Sequence, residues 1–107
     1  MTKKYTKLFD LSGKVAVVTG ASRGIGASVA EAFAEFGASV VVSSRSKDAV
    51  DEIANRIKKN GYNALACECH VGEEEHLKKL IDLTIKKYDK IDILVNNAGI
   101  KPVFDRL

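Results

Sequence analysis

The feature that most constrains this chain is a glycine cluster set between two segments of different hydrophobic period. Residues 14–19 contain the run Val15-Ala16-Val17-Val18-Thr19, rich in β-branched side chains. Such a run suits a strand buried on both faces. It leads straight into Gly20, Gly24 and Gly26. From about Ile25 to Phe36 the period becomes helical. Ile25, Val29 and Phe33 form one apolar stripe with Ala30 and Ala34 beside it, and Gly37 stands where a C-terminal cap belongs.

A glycine-rich loop between a strand and a helix can cradle phosphate, because backbone N–H donors and the positive helix end are left unobstructed. Gly20 permits the sharp turn. Gly24 and Gly26 allow close approach of backbone to phosphate and of helix to sheet. The spacing in Thr19-Gly20-Ala21-Ser22-Arg23-Gly24-Ile25-Gly26 is G-x-x-x-G-x-G, not the commoner G-x-G-x-x-G. The plainer alternative is an ordinary strand-to-helix turn. Three glycines in this setting favour the phosphate loop.

The alternation continues. Ser39–Ser43 reads as a second buried strand, and 47–59 as a helix with Val50, Ile53, Ala54 and Ile57 as its buried stripe, ended by Asn60-Gly61. Asn63–Cys69 is a weaker third strand. Glu73–Tyr88 is a third helix, with acids in its first turn, Lys86 and Lys87 in its last, and a stripe of Leu77, Leu80, Ile81 and Thr84. Ile91–Val95 is a fourth strand and runs into Asn96-Asn97-Ala98-Gly99. Four strands alternating with three helices imply an α/β fold: a parallel, doubly wound sheet of the Rossmann type, in strand order 3-2-1-4.

TGASRGIG resembles the TGxxxGxG signature of the short-chain dehydrogenases/reductases, and Asn96-Asn97-Ala98-Gly99 resembles their second signature. The opening LSGKVAVVTG also looks like that family's usual start. The resemblance covers about Phe9 to Leu107 and implies a nicotinamide dinucleotide site. It places Gly20, Ser22, Arg23, Gly24, Ile25 and Gly26 at the phosphates. Asn97, Ala98 and Gly99 would lie on the ribose and nicotinamide side, while Asn96 braces the sheet. At the end of the third strand the family often carries an aspartate that bonds the adenine amino group. Here the pair is His70-Val71, and a neutral imidazole can stack or accept a hydrogen bond instead.

The second strand ends Ser43-Ser44-Arg45. An acid there selects NAD by bonding the ribose hydroxyls and repelling a 2′-phosphate. This chain has no such acid. Ser44 and Arg45, with Arg23 nearby, suit the 2′-phosphate, because the guanidinium fork matches phosphate oxygens. The expected cofactor is NADP. The segments VVVSSR and CHVG also look like the family's carbonyl and retinol reductases, which implies a small-molecule carbonyl or alcohol substrate.

Other features are plainer. Cys67 and Cys69 share one face of a strand while His70 points away, so no metal site is expected. The thiols read as small core groups. His76, in the acidic helix, reads as exposed, and Tyr88 as packed at the helix end. The formal charge of +3 is not concentrated into a nucleic-acid footprint. No apolar run approaches the ~20 residues that span a bilayer. The start carries no secretory pattern, and two cysteines make no disulfide framework, so a cytoplasmic location is expected.

At 107 residues the chain suits one NADP-binding domain, with residues 1–8 as a flexible tail. Family members use a serine and a Tyr-x-x-x-Lys pair beyond the fourth strand. None of Tyr5, Tyr62 and Tyr88 has a lysine four residues on. No catalytic residue is assigned, and a truncated reductase is expected, inactive by itself and homotetrameric when full-length. A complete non-catalytic NADPH-binding module is the alternative. An extended-branch nucleotide-sugar epimerase fits less well, because its glycine spacing differs. Truncation would leave the fourth strand as a hydrophobic edge prone to association.

Overall fold

The valine runs pair with one another. In the computed structural model, which describes residues 10–97, strands β1 (Val15–Thr19), β2 (Ser39–Ser44), β3 (Ala64–Glu68) and β4 (Ile93–Asn96) form one sheet in the order β3-β2-β1-β4. All three pairings are parallel, with Val17 opposite Val41 and Leu94, and Ser44 opposite Glu68. Helices α1 (Gly24–Glu35), α2 (Lys47–Lys59) and α3 (Glu74–Tyr88) make the crossovers. This is the expected fold and strand order. The strand limits differ slightly: β1 starts after Lys14, β3 stops before Cys69, and β4 starts at Ile93.

The sheet is covered unequally. On one face Ala16, Val18, Val40, Val42 and Ala64 pack against α1 and α2. The expected α2 stripe of Val50, Ile53, Ala54 and Ile57 is buried throughout. An ion pair between Arg56 and Glu31 at 3.1 Å ties α2 to α1. On the other face Val17, Val41, Cys67 and Cys69 pack against Leu80 of α3, with Leu77, Leu83 and Tyr88 around them. Burial raises the pKa of both thiols and of the Tyr88 phenol.

Two expected core positions lie elsewhere. Ile25 is 75% exposed, because α1 meets the sheet through Gly26, Ala27, Ala30 and Ala34. Val29 and Phe33 only flank that contact. Ile81 is 50% exposed. It lies one residue past Leu80, hence about 100° round the helix, beside Ile85 instead of over the strands. Leu94 of the edge strand β4 is 65% exposed on the side that α3 leaves uncovered.

At the lower end of the sheet Asp92 holds β1 to the approach of β4. Its carboxylate accepts the Val15 N–H at 2.8 Å, and its own N–H donates to the Val15 carbonyl at 2.9 Å. The Val15 N–H bond to the carboxylate, then Lys90 at 3.1 Å, lowers the Asp92 pKa.

Candidate cofactor site

The upper ends of β1 and β4 carry the two glycine- and asparagine-bearing segments into contact. Thr19, buried at the end of β1, joins them. Its hydroxyl donates to the Asn96 side-chain oxygen at 3.0 Å and accepts the Asn97 N–H at 3.0 Å. The Asn97 side-chain amide donates to the Gly20 carbonyl at 3.1 Å. Asn96 therefore braces the sheet as expected, and Asn97 also fastens β4 to the glycine loop. Thr19 was not among the expected site residues. Its signal was its place at the head of the first signature, where a buried hydroxyl can satisfy the end of a neighbouring strand.

Gly26 explains how closely α1 seats. A Cβ built there would collide with the Gly20 carbonyl oxygen and lie 2.7 Å from the Asn97 amide nitrogen. The two signatures thus leave no room for a side chain where they meet. Gly24 is different. Its φ of +61° needs glycine, and a Cβ there meets nothing within 4 Å. Open space lies over the first turn of the helix.

The N-terminus of α1 is bare. Its N-cap, Arg23, is extended and makes no side-chain capping bond, and its first turn holds no acid. By contrast, Ser46 caps α2 by accepting the Ala49 N–H at 3.3 Å, with Asp48 in the first turn. At α3, Glu74 and Glu75 occupy the first turn. Unsatisfied N–H donors and a positive helix end attract an anion, and α1 presents both beside Ser22, Gly24 and Ile25.

Arg23 stands at that end, and Arg45 follows β2, whose Ser43 carbonyl accepts the Ala21 N–H of the glycine loop at 3.0 Å. Arg23 and Arg45 are both exposed, and neither has an ion-pair partner among the described residues. Arg45 follows β2 inside a small turn. The Ser44 hydroxyl accepts the Ser46 N–H at 3.0 Å and donates to the Ser46 carbonyl at 3.2 Å. Ser44 is therefore already engaged in closing the turn around Arg45. The parallel register also brings Glu68, exposed at the end of β3, beside Ser44. This acid lies 24 residues beyond Ser44 in sequence, so only the strand pairing reveals it.

His70 and Val71 follow β3, past the Cys69 N–H that donates to the Ser44 carbonyl at 2.8 Å. His76 is half-buried, not exposed, and turns back onto them. Its Nδ1 accepts the His70 N–H at 3.2 Å, its Nε2 lies 2.9 Å from the Glu73 carboxylate, and the two imidazoles meet edge to face at 5.0 Å. Sequence spacing missed this because His76 belongs to a helix whose other neighbours are charged. Ala98 and Gly99, and the tail at 1–8, lie outside the described residues.

An open groove of about 750 Å3 begins at Ser22, Arg23, Gly24 and Ile25 and descends between α1 and α2 to Ile53 and Arg56. It shares only its mouth with the glycine loop and includes neither Arg45, His70 nor Asn97. Among the described residues no helix is long and apolar enough to cross a membrane, and no cluster of three or more His, Cys, Asp or Glu could hold a metal.

Comparison with known proteins agrees with this geometry. The chain is 46% identical over 95 residues to a short-chain dehydrogenase/reductase of Arabidopsis thaliana, covering 89% of this chain and 37% of that protein. It superposes on a hydroxysteroid dehydrogenase from Escherichia coli with a TM-score of 0.84 and 47% identity, over 86% of this chain and 39% of that one. A 7α-hydroxysteroid dehydrogenase complexed with NADH and 7-oxo glycochenodeoxycholic acid gives a TM-score of 0.84 at 44% identity, over 94% and 38%. The chain thus spans well under half the length of these relatives. Residues 14–106 match the family model described as short chain dehydrogenase. With both signatures knotted through Thr19 and Asn97 on a parallel sheet of the same topology, the chain belongs to the short-chain dehydrogenase family of oxidoreductases and carries its cofactor-binding region.

Proposed function

We propose that these 107 residues form the NADP-binding domain of an oxidoreductase that moves hydride between NADPH and a carbonyl or alcohol substrate. The observation that carries the NADP preference is the pair Arg23 and Arg45. Both are exposed. Arg23 is the N-cap of α1, Arg45 follows β2, whose Ser43 carbonyl accepts the Ala21 N–H of the glycine loop, and no acid closes β2. A relative complexed with NADH leaves the choice of dinucleotide to each chain's own residues. Here those residues favour the form with a 2′-phosphate.

In this reading the N–H groups of Ser22 to Gly26 hold the pyrophosphate. Arg45, held by the Ser44 turn, grips the 2′-phosphate with help from Arg23. Glu68 opposes them from β3. His70 and Val71 border the adenine, and Asn97, Ala98 and Gly99 border the nicotinamide side. NADPH supplies the hydride when bound, and the groups named here bind and orient it. No tyrosine of this chain has a lysine four residues on. We therefore assign proton transfer to residues outside these 107, so that the chain alone binds cofactor without turnover.

The test is Arg45→Ala, titrated with NADPH and NADH. A charged hydrogen bond contributes ~1.5–3 kcal/mol, and the exposure of Arg45 favours the lower end, so NADPH should weaken roughly 10-fold with NADH unchanged. Equal loss for both dinucleotides would overturn the 2′-phosphate role of Arg45.

A further inference from the structure

The turn after β3 is held at both ends of one residue. Past Cys69 the sheet offers no further backbone partner, so the His70 N–H needs an acceptor from elsewhere. His76 supplies it, Nδ1 to N at 3.2 Å. The His70 carbonyl accepts the Glu73 N–H at 2.9 Å. His76 is itself fixed in rotation and tautomer. With Nδ1 accepting, the proton sits on Nε2 and points at the Glu73 carboxylate 2.9 Å away. The edge-to-face contact of the two rings at 5.0 Å then orients the His70 imidazole. A residue on the helix thus sets both the backbone and the ring of His70.

We infer that His76 is a positioning residue for the adenine side of the cofactor site, holding His70-Val71 in the shape the base meets. The inference rests on the cofactor reading above. It differs in kind from the role of Arg45, because His76 acts through His70 and does not touch the 2′-phosphate. Its loss should weaken NADPH and NADH by the same factor, leaving their ratio unchanged.

The experiment titrates NADPH and NADH against the protein and its His76→Ala and His76→Asn variants. Thermal melting and hydrogen exchange of the His70 amide are recorded on each. Asn keeps an acceptor close to the position of Nδ1, and Ala does not. His76→Ala should weaken both dinucleotides roughly 3- to 10-fold, the size of one lost neutral hydrogen bond. It should also speed exchange of the His70 amide by a comparable factor. His76→Asn should restore both affinity and protection to near those of the parent.

An Ala variant with the affinity of the parent overturns the inference. So does an Asn variant no better than Ala, or a change in the ratio of NADPH to NADH affinity. If Ala unfolds the protein, the Asn variant decides: parent-like affinity with a protected His70 amide supports the role, and loss of either overturns it. A parent that binds neither dinucleotide defeats the cofactor reading and this inference together. A parent that binds both, with an indifferent His76→Ala, defeats this inference alone.

Discussion

The N-termini of α1 and α3 sit at the same upper edge of the sheet and offer the same backbone donors, yet they are finished in opposite ways. At α3 the protein supplies its own anions, Glu74 and Glu75 in the first turn, and a cross-brace from His76 to the preceding turn. Neither end has a side-chain cap, but at α1 there is also no acid in the first turn, and open space lies over Gly24. Both ends carry the positive pole of a helix. One meets it with the protein's own acids and becomes structure. The other leaves it for a ligand and becomes a site. Side chains decide between the two.

The sharpest way to break this contrast is to make α1 impossible to seat. Gly26→Ala should cost about 3 kcal/mol of stability, as overpacking of a close contact does, because the new methyl group meets the Gly20 carbonyl and the Asn97 amide. Thermal melting and cofactor titration should both show the loss. A variant that melts and binds like the parent would mean that α1 does not rest on the glycine loop.

The next largest effect should come from finishing α1 in the manner of α3. Arg23→Glu places an acid on the bare helix end and removes a cation. It should weaken NADPH by roughly 100-fold, the sum of a lost charged contact and a repelled phosphate, while the melting temperature holds or rises. Unchanged affinity would show that the pyrophosphate does not lie there.

A carboxylate at the opposite edge of the sheet sharpens the comparison, since it serves as an internal acceptor. The folded-state pKa of Asp92 is lowered by the Val15 backbone bond first and then by Lys90. Its contribution to stability is therefore present above the ordinary carboxylate value and is lost as pH falls through the lowered folded value. Melting curves should show the difference between the protein and Asp92→Asn shrinking below about pH 4. A difference independent of pH would sink the role given to the charge.

The smallest effect concerns Glu68. Removing its charge with Glu68→Gln should strengthen NADPH about 2-fold at low salt, the scale of an exposed charge interaction, and leave NADH alone. A gain for both dinucleotides would place Glu68 elsewhere in the site.

Much of the architecture was legible where bulk and period agree. The α2 stripe of Val50, Ile53, Ala54 and Ile57 is buried as its spacing implies, and the β-branched runs are the strands. The reading of α1 held for Ala30 and Ala34 but misplaced Ile25, because it followed the largest side chains. Close packing against a sheet selects the smallest, so Gly26, Ala27, Ala30 and Ala34 face inward and Ile25 faces out. Ile81 failed because α3 sets Leu80 against Val17, Val41 and Cys67, and a one-residue offset from Leu80 points away from them. At the site, the signatures located the glycine loop and Asn97. The knot through Thr19, the approach of Glu68 and the turn held by His76 depend on contacts between elements distant in sequence, which spacing does not encode.

The central claim is that the bare end of α1, with Arg23 at it and Arg45 past β2, holds a dinucleotide and reads its 2′-phosphate. Calorimetric titration of the unmodified protein with NADPH and NADH, at low and moderate salt, tests it most directly. The account predicts saturable binding of both, with NADPH tighter by roughly 10-fold or more at low salt and the margin narrowing as salt screens the arginines. Equal affinities at both salt concentrations, or tighter binding of NADH, would contradict it.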